Sequence, residues 1–301
     1  MWPIRTNVFS PLWRVFCRSC RHDAERRIVK LAVVGTGLIG GSFALGARTR
    51  NLFQEFVGVD PQQPALDAAV ALGIVDQPAA QVPEDADAVL LAGPSDTIAD
   101  WVVRLAEHPA VVFDVGSVKG AIIDAVRAEL GSLPPRFVPC HPIAGLERSG
   151  PGVADEDLFA DRMVIQTPAT ETDAAALEQV VYWWRSLGAR TLDMAPREHD
   201  TVYALTSHLP HALVFAYLQR ILPEQLQHAG GGFRDFSRIG GSDPDMWTAI
   251  FELNKTALLP ALDDFAEDLA RLREAVAGGD ATAVRALLEQ ARSNRADYDG
   301  D

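Results

Sequence analysis

Short apolar runs alternate with amphipathic stretches through the first part of the chain. Apolar runs rich in β-branched residues predict strands, and apolar positions at helical spacing predict helices. Strands are predicted at 28–34, 56–59, 88–92, 111–115 and 137–140, and helices after residue 38 and at 64–72, 95–107 and 119–130. Strands and helices that alternate at these lengths are typical of an α/β protein with a mostly parallel, doubly wound Rossmann-type sheet.

A glycine-rich turn follows the first predicted strand and reads Gly35-Thr36-Gly37-Leu38-Ile39-Gly40. Gly35 permits a tight turn, Gly37 has no side chain to obstruct a pyrophosphate, and Gly40 lets the helix pack close to the sheet. The helix then begins at Leu38 and Ile39, where backbone N–H groups and the helix dipole favour phosphate. The sequence therefore predicts a dinucleotide site.

An acidic residue, Asp60, ends the second predicted strand. A carboxylate there accepts hydrogen bonds from the adenosine ribose hydroxyls and repels a 2′-phosphate. Pro61, Gln62 and Gln63 follow, with no nearby cation to attract that phosphate. We therefore predict NAD rather than NADP as the cofactor.

Strand patterns stop after Pro196. Two further strands are predicted before it, at 163–167 and 191–194, on either side of a helix at 174–187. Helices are predicted after it at 202–222, 245–272 and 282–294, with a loop at Gly230-Gly231-Gly232. The predicted organisation is an Arg-rich N-terminal extension at 1–27, a dinucleotide-binding domain at 28–196 and a helical domain at 197–301.

Composition narrows the function classes. The formal charge of −14 over 301 residues disfavours nucleic acid and anionic membrane partners. No apolar stretch approaches the roughly 20 residues of a membrane helix, so a soluble protein is expected. Cys17, Cys20 and Cys140 are too few for a disulfide framework, which fits a reducing cytoplasm. Cys17 and Cys20 lack a second pair that would complete a zinc site, so no metal is predicted.

Three polar motifs follow predicted strands, where ligands of open α/β sheets bind. They are Gly93-Pro94-Ser95, the segment 114–119 with Ser117, and the segment 141–145 with His141. Taken separately, Ser117 could serve only as a helix cap and His141 only as a structural histidine. Together, beside a nicotinamide ring, His141 can act as a general base on a substrate hydroxyl, with a pKa near neutrality.

The helical part adds a second polar set. Ser207-His208-Leu209-Pro210-His211 places two histidines three residues apart, and the segment 232–238 contains Arg234 and Arg238. The histidines are equally compatible with core packing, and the arginines with solvation or pairing to Asp235. Arginine is nevertheless the natural bidentate partner of a carboxylate, and an acidic protein needs local cations to hold an anionic substrate.

These motifs resemble the prephenate and arogenate dehydrogenases of tyrosine biosynthesis. The resemblance extends over about residues 28–272 and rests on segments 35–42, 114–119, 141–145, 206–211, 232–239 and 243–247. It implies a Rossmann domain followed by a helical dimerisation domain, with the active site between them. It also implies oxidation of prephenate with NAD(P) and loss of its ring carboxylate as CO₂.

The resemblance also implies roles for individual residues. His141 matches the histidine that hydrogen-bonds the ring 4-hydroxyl, and Ser117 matches a serine that helps to hold it. Arg238 matches a carboxylate-binding arginine, and His211 matches a substrate-site histidine, to which we add Ser207. Further polar positions that organise the site or control access to it are Glu147, Asp200 and Arg234.

Three alternatives remain open. The quoted motifs do not separate prephenate from arogenate or 4-amino-4-deoxyprephenate. The 3-hydroxyacid dehydrogenases have a similar architecture, but they rely on a catalytic lysine early in the helical part, and residues 198–213 contain none. A non-catalytic NAD-sensing protein is disfavoured because Ser117, His141, His211 and Arg238 are all present.

Overall fold

A six-stranded parallel sheet forms the centre of the first part of the protein. The computed structural model describes residues 29–145 and 148–299. The strands are β1 (Lys30–Val34), β2 (Glu55–Val59), β3 (Gln77–Pro78), β4 (Ala88–Leu91), β5 (Val111–Asp114) and β6 (Phe137–Val138). Their order, β3-β2-β1-β4-β5-β6, is that of a doubly wound Rossmann sheet, which confirms the predicted fold class.

Helices cover both faces of this sheet. They are α1 (Leu38–Thr49), α2 (Gln63–Ala71), α3 (Ile98–Arg104), α4 (Gly120–Leu130) and α5 (Ala174–Ser186). On one face Phe43 of α1 and Trp184 of α5 pack edge-on, 4.9 Å between ring centroids. On the other face Val102 of α3 and Ile122 of α4 are buried against the sheet. Because both faces are covered, the inner strands β1, β2, β4 and β5 are mostly apolar runs rather than alternating ones.

The strand predicted at 137–140 is in fact divided between two sheets. β6 ends at Val138, and β7 (Cys140–Pro142) pairs antiparallel with β8 (Met163–Gln166), which pairs parallel with β9 (Arg190–Asp193). Pro139 lies at the division, since it has no N–H to donate to a neighbouring strand. The next N–H, of Cys140, donates to Asp114 Oδ1 at 2.9 Å. His141 therefore lies inside a strand of the second sheet.

The rest of the described chain is helical. Its helices are α6 (Pro196–Tyr203), α7 (Leu209–Leu218), α8 (Pro223–Leu226), α9 (Gly231–Ser237), α10 (Pro244–Leu253), α11 (Lys255–Ala277) and α12 (Ala281–Asp299). Over residues 29–145 and 148–299, no helix combines the length and apolar character that crossing a membrane requires.

Several predicted helix boundaries differ from the observed ones. The helix predicted at 202–222 contains a wide π turn at Ala204–His208, just before Pro210, which cannot donate to the preceding turn. The predicted loop at 230–232 is instead the start of α9, with Gly230 as an extended N-cap. The helix predicted at 245–272 is interrupted at Asn254, whose side chain bonds to the Asp200 carbonyl.

Candidate active site

The glycine turn has the shape that a dinucleotide requires. Gly35 has φ +91°, and a Cβ there would lie 2.5 Å from the Ala92 carbonyl oxygen. A Cβ on Gly40 would lie 2.1 Å from the Gly35 oxygen, whereas a Cβ on Gly37 would face open space. Among the described residues no side chain caps α1, so the N–H groups of Leu38, Ile39 and Gly40 are available to an anion.

Asp60 is fixed beside this turn. Its Oδ2 accepts from the Thr36 N–H at 2.9 Å and the Thr36 hydroxyl at 3.1 Å. Its Oδ1 accepts from the Gln62 N–H at 2.9 Å. The carboxylate therefore stabilises the glycine turn. It also lies at the end of β2, where the adenosine ribose of the cofactor is expected.

The loops after β4 and β5 lie next to each other. The Ser117 N–H donates to the Ser95 hydroxyl at 3.3 Å, and Gly93 and Pro94 precede Ser95 in the same loop. Two residues along, Lys119 is completely buried, forms an ion pair with Asp114 and donates to the Cys140 carbonyl at 2.7 Å. This buried ion pair therefore connects β5, the start of α4 and the strand that carries His141.

His141 is at one end of a hydrogen-bonded chain that crosses to α6. Its Nδ1 lies 2.8 Å from His199 Nε2, and His199 Nδ1 lies 2.8 Å from Asp200 Oδ1. The Asp200 carboxylate accepts from the backbone N–H groups of Lys119 and Gly120 at 2.9 and 2.8 Å. An acidic side chain of α6 therefore caps the N-terminus of α4, and the chain joins the sheet to the helical segment.

The histidines of this region are held neutral. Burial lowers the pKa of His141 well below its usual 6.5, and the nearby His199 and Lys119 lower it further. Burial also lowers the pKa of His199, and it lowers that of His208 to about 4. The prediction that His141 has a pKa near neutrality is therefore wrong, because the pKa is lower. His141 is an unprotonated base at pH 7.

His211 faces the same region from α7. Its ring stacks on Trp247 of α10, 3.6 Å between centroids, and Trp247 packs against Val118, the neighbour of Ser117. His211 Nδ1 lies 2.9 Å from the Ser207 carbonyl oxygen and donates to it, which leaves Nε2 as an acceptor. Ser95 and Ser117 are thus hydrogen-bonded neighbours, and His211 is connected to the Ser117 loop through Trp247 and Val118. His141 is connected to the helical segment through His199.

The predicted arginines lie further along the helical part. Arg234 and Arg238 are exposed, and their segment packs closely on α7 at Gly240, where a Cβ would lie 2.5 Å from Leu218 and 2.7 Å from Val214. Their role as carboxylate ligands stays a prediction. Glu147 and the extension 1–27, with Cys17 and Cys20, lie outside the described residues.

The residues predicted from sequence did not include His199 or Tyr203, and the structural role of Lys119 was not predicted. His199 is fully buried, and its ring lies 4.6 Å from that of Tyr203, which in turn is 4.9 Å from His141. His199 sits in a polar stretch, Arg197-Glu198-His199-Asp200, that is typical of a solvent-facing helix. The neighbouring Asp200 could have identified His199, since a histidine next to a functional carboxylate is well placed to hydrogen-bond with that carboxylate.

Two family models match the chain in succession. "Prephenate dehydrogenase, nucleotide-binding domain" matches residues 43–193, and "Prephenate dehydrogenase, dimerization domain" matches residues 195–290. A cyclohexadienyl dehydrogenase of Zymomonas mobilis is 35% identical over an alignment of 268 positions, which covers 83% of this chain and 89% of that protein.

Solved structures show the same relationship. The prephenate dehydrogenase of Aquifex aeolicus, in complex with hydroxyphenyl propionate and NAD+, matches with a TM-score of 0.82 and 33% identity over 91% of this chain and 100% of that one. Synechocystis arogenate dehydrogenase matches with a TM-score of 0.74 and 31% identity, over 90% and 100% of the two chains. The chain therefore belongs to the prephenate dehydrogenase family.

Proposed function

We propose that this protein is an NAD-dependent prephenate dehydrogenase that forms 4-hydroxyphenylpyruvate and CO₂. The observation that carries the proposal is His141, an unprotonated imidazole at the junction of the nucleotide-binding fold and the helical segment. The relatives described above are named as cyclohexadienyl, prephenate and arogenate dehydrogenases, which supports a substrate of this kind. The glycine turn, the uncapped α1 N-terminus and Asp60 fit NAD, which accepts the hydride when bound.

The reaction requires alignment and one proton acceptor. Hydride leaves ring C4 while the bond from C1 to its carboxylate breaks, and that electron pair enters the ring to complete its aromaticity. The C4–O bond gains carbonyl character as hydride leaves, so its proton moves toward His141. The same proton returns to the oxygen when the phenol forms. His141 thus holds a proton without releasing it, and the loops with Ser95 and Ser117 orient the reacting groups.

Substrate choice is tested by direct comparison. Formation of NADH is measured with prephenate, arogenate and 4-amino-4-deoxyprephenate under identical conditions, and kcat/KM is compared. We expect prephenate to have the largest value. A larger value for arogenate or the amino compound would reassign the substrate within the family, and no turnover with any of the three would favour a non-catalytic NAD-binding role.

NAD should be preferred over NADP because of Asp60. Repulsion of a 2′-phosphate by this fixed carboxylate is expected to cost about 1–3 kcal/mol, which is roughly ten- to hundredfold in kcat/KM. Asp60→Asn should reduce the ratio of kcat/KM for NAD to that for NADP. Asp67→Asn, at an exposed carboxylate of α2, should leave this ratio unchanged. Equal kcat/KM values for the two cofactors in the unmodified enzyme would contradict the assignment.

Arg238→Ala should raise KM for prephenate with little change in the dissociation constant of NAD. Arg238 is solvent-exposed, and an exposed charge pair contributes about 0–1 kcal/mol, so the rise in KM should be up to roughly fivefold. Arg238→Lys should restore only part of it, since an ammonium lacks the planar fork. Arg220→Ala, at an exposed arginine just after α7, is the matched control. Weaker NAD binding with an unchanged KM for prephenate would show that the substrate does not bind at Arg238.

We infer further that the protein is a homodimer formed through its helical domain, with the domain boundary near Pro196. The family description of the second domain as a dimerization domain supports this. So do large apolar side chains exposed along α10–α12, which are Met246, Leu259, Leu269, Val276 and Leu288. A dimer interface along these helices would cover such side chains.

A further inference from the structure

The chain of ring nitrogens behind His141 determines where its proton sits. The Asp200 carboxylate is also the acceptor for two backbone N–H groups at the start of α4. An ionised carboxylate only accepts hydrogen bonds, so the proton between Asp200 Oδ1 and His199 belongs to His199 Nδ1. A neutral His199 then has a bare Nε2, which can only accept.

The hydrogen bond between the two histidines fixes the proton of His141 as well. Its Nδ1 faces the bare His199 Nε2 at 2.8 Å, so His141 Nδ1 carries the proton and donates it. In a neutral imidazole the other nitrogen is then unprotonated, because the hydrogen bond made by one ring nitrogen sets the state of the other. His141 Nε2 is therefore the atom able to take a proton.

We propose that His199 is a positioning residue that fixes His141 as the Nδ1–H tautomer, so that Nε2 of His141 is the proton acceptor of the reaction. The link to catalysis rests on the proposed function, whereas the tautomer itself does not. In the reaction the substrate O–H bond weakens as the Nε2–H bond forms, and the proton returns to oxygen when the ring becomes aromatic. No oxidant beyond the hydride acceptor is needed.

The surroundings favour this arrangement. The titratable and charged groups packed around the pair are Tyr203, Asp200 and His208 from the helical segment, Lys119 before α4, and Asp114 at the end of β5. Burial and the Lys119 cation lower the pKa of both histidines, and for His199 they outweigh Asp200 and Asp114, which raise its pKa. Asp200 is fixed by the α4 N-terminus, so His199 cannot turn its ring over without losing a charge-assisted hydrogen bond.

The test is the ¹⁵N NMR spectrum of histidine-labelled full-length protein, in the absence of substrate, at pH 7. The His141 signals are identified by their loss in His141→Asn. We expect a protonated Nδ1 and a bare Nε2 at His141, coupled to His199 by a shared hydrogen bond. An Nε2–H tautomer at His141 in the unmodified protein would overturn the proposal, whatever the variants at position 199 do.

Two variants separate positioning from a merely structural role. His199→Gln places an amide oxygen where Nε2 lies and can still accept from His141 Nδ1, so it should keep the tautomer and most of kcat. His199→Leu removes the acceptor, should mix the two tautomers and should lower kcat roughly 10- to 100-fold with little change in KM. His208→Gln alters a buried histidine whose partner is Asn254, and it should leave the His141 tautomer unchanged.

The outcomes distinguish this inference from the proposed function. If His199→Leu retains both the tautomer and kcat, His199 does not position His141 and the inference is wrong. If the tautomer behaves as expected but the unmodified protein does not oxidise prephenate, the positioning role stands and the substrate assignment fails. Equal losses of kcat in His199→Gln and His199→Leu, with the tautomer intact in both, would also overturn the positioning role.

Discussion

Replacing His141 with asparagine should lower kcat for prephenate by about 10²–10⁴-fold, the usual contribution of a general base. Asparagine keeps a polar group in β7 but cannot take up the hydroxyl proton. NAD binding should persist, because the glycine turn and Asp60 lie on other elements of the sheet. Steady-state kinetics gives the loss of kcat, and cofactor titration gives the dissociation constant of NAD.

The pH profile of the unmodified enzyme provides a second readout of His141. Because its pKa is lowered from 6.5, kcat/KM should stay high at pH 7 and fall only below pH 6.5, where the base becomes protonated. The asparagine variant should lose this acid limb. His108→Asn is the control, since His108 bonds to the Pro83 carbonyl far from the helical segment. Near-normal turnover in His141→Asn would show that His141 is only structural.

Lys119→Met should lower the free energy of unfolding by about 3–5 kcal/mol, the usual cost of breaking a buried ion pair. Both side chains of the Lys119–Asp114 pair are completely buried, so removal of the ammonium leaves a carboxylate without its cation. The bond from Lys119 to the Cys140 carbonyl is lost as well, directly beside His141. Urea unfolding measures the change through the transition midpoint at constant m-value.

Lys30→Met is the matched control for this measurement. Lys30 lies in β1 and pairs with Glu55 and Asp85, and the Asp85 side chain is 71% exposed. A pair of that kind contributes about 0–1 kcal/mol, so the control should lose little stability. If the two variants lost the same amount, the Lys119–Asp114 pair would have no special role in holding β7.

Much of the nucleotide-binding part was predictable because its signals are local. The glycine turn, the strand before it and the acid after it occur within about 30 residues, as the dinucleotide fingerprint requires. Steric need determines these glycines: a Cβ at Gly35 or Gly40 would collide with backbone oxygens. The division of the strand at Pro139 also has a local cause, the missing N–H of proline. The strand was nevertheless predicted as continuous over 137–140 because its residues are mostly apolar.

The helical part was predicted less well, since its boundaries depend on contacts between distant residues. Asn254 interrupts the α10–α11 stretch while its side chain bonds to the carbonyl of Asp200, 54 residues away in sequence. The π turn before α7 likewise has no apolar signature of its own. Helical periodicity indicated that helices were present, and tertiary contacts set where they begin and end.

The sequence by itself determined the doubly wound sheet, the glycine turn, Asp60 and the position of Ser117 just after β5, because each depends on neighbouring residues. The expected position of His141 after a strand was wrong, since His141 lies within β7. Only the tertiary structure decided the chemical state of the site. His141 and His199 are 58 residues apart in sequence, and Asp200 reaches the start of α4 across 80. The hydrogen-bond direction and the lowered pKa of His141 both follow from burial and long-range contact, and sequence spacing encodes neither.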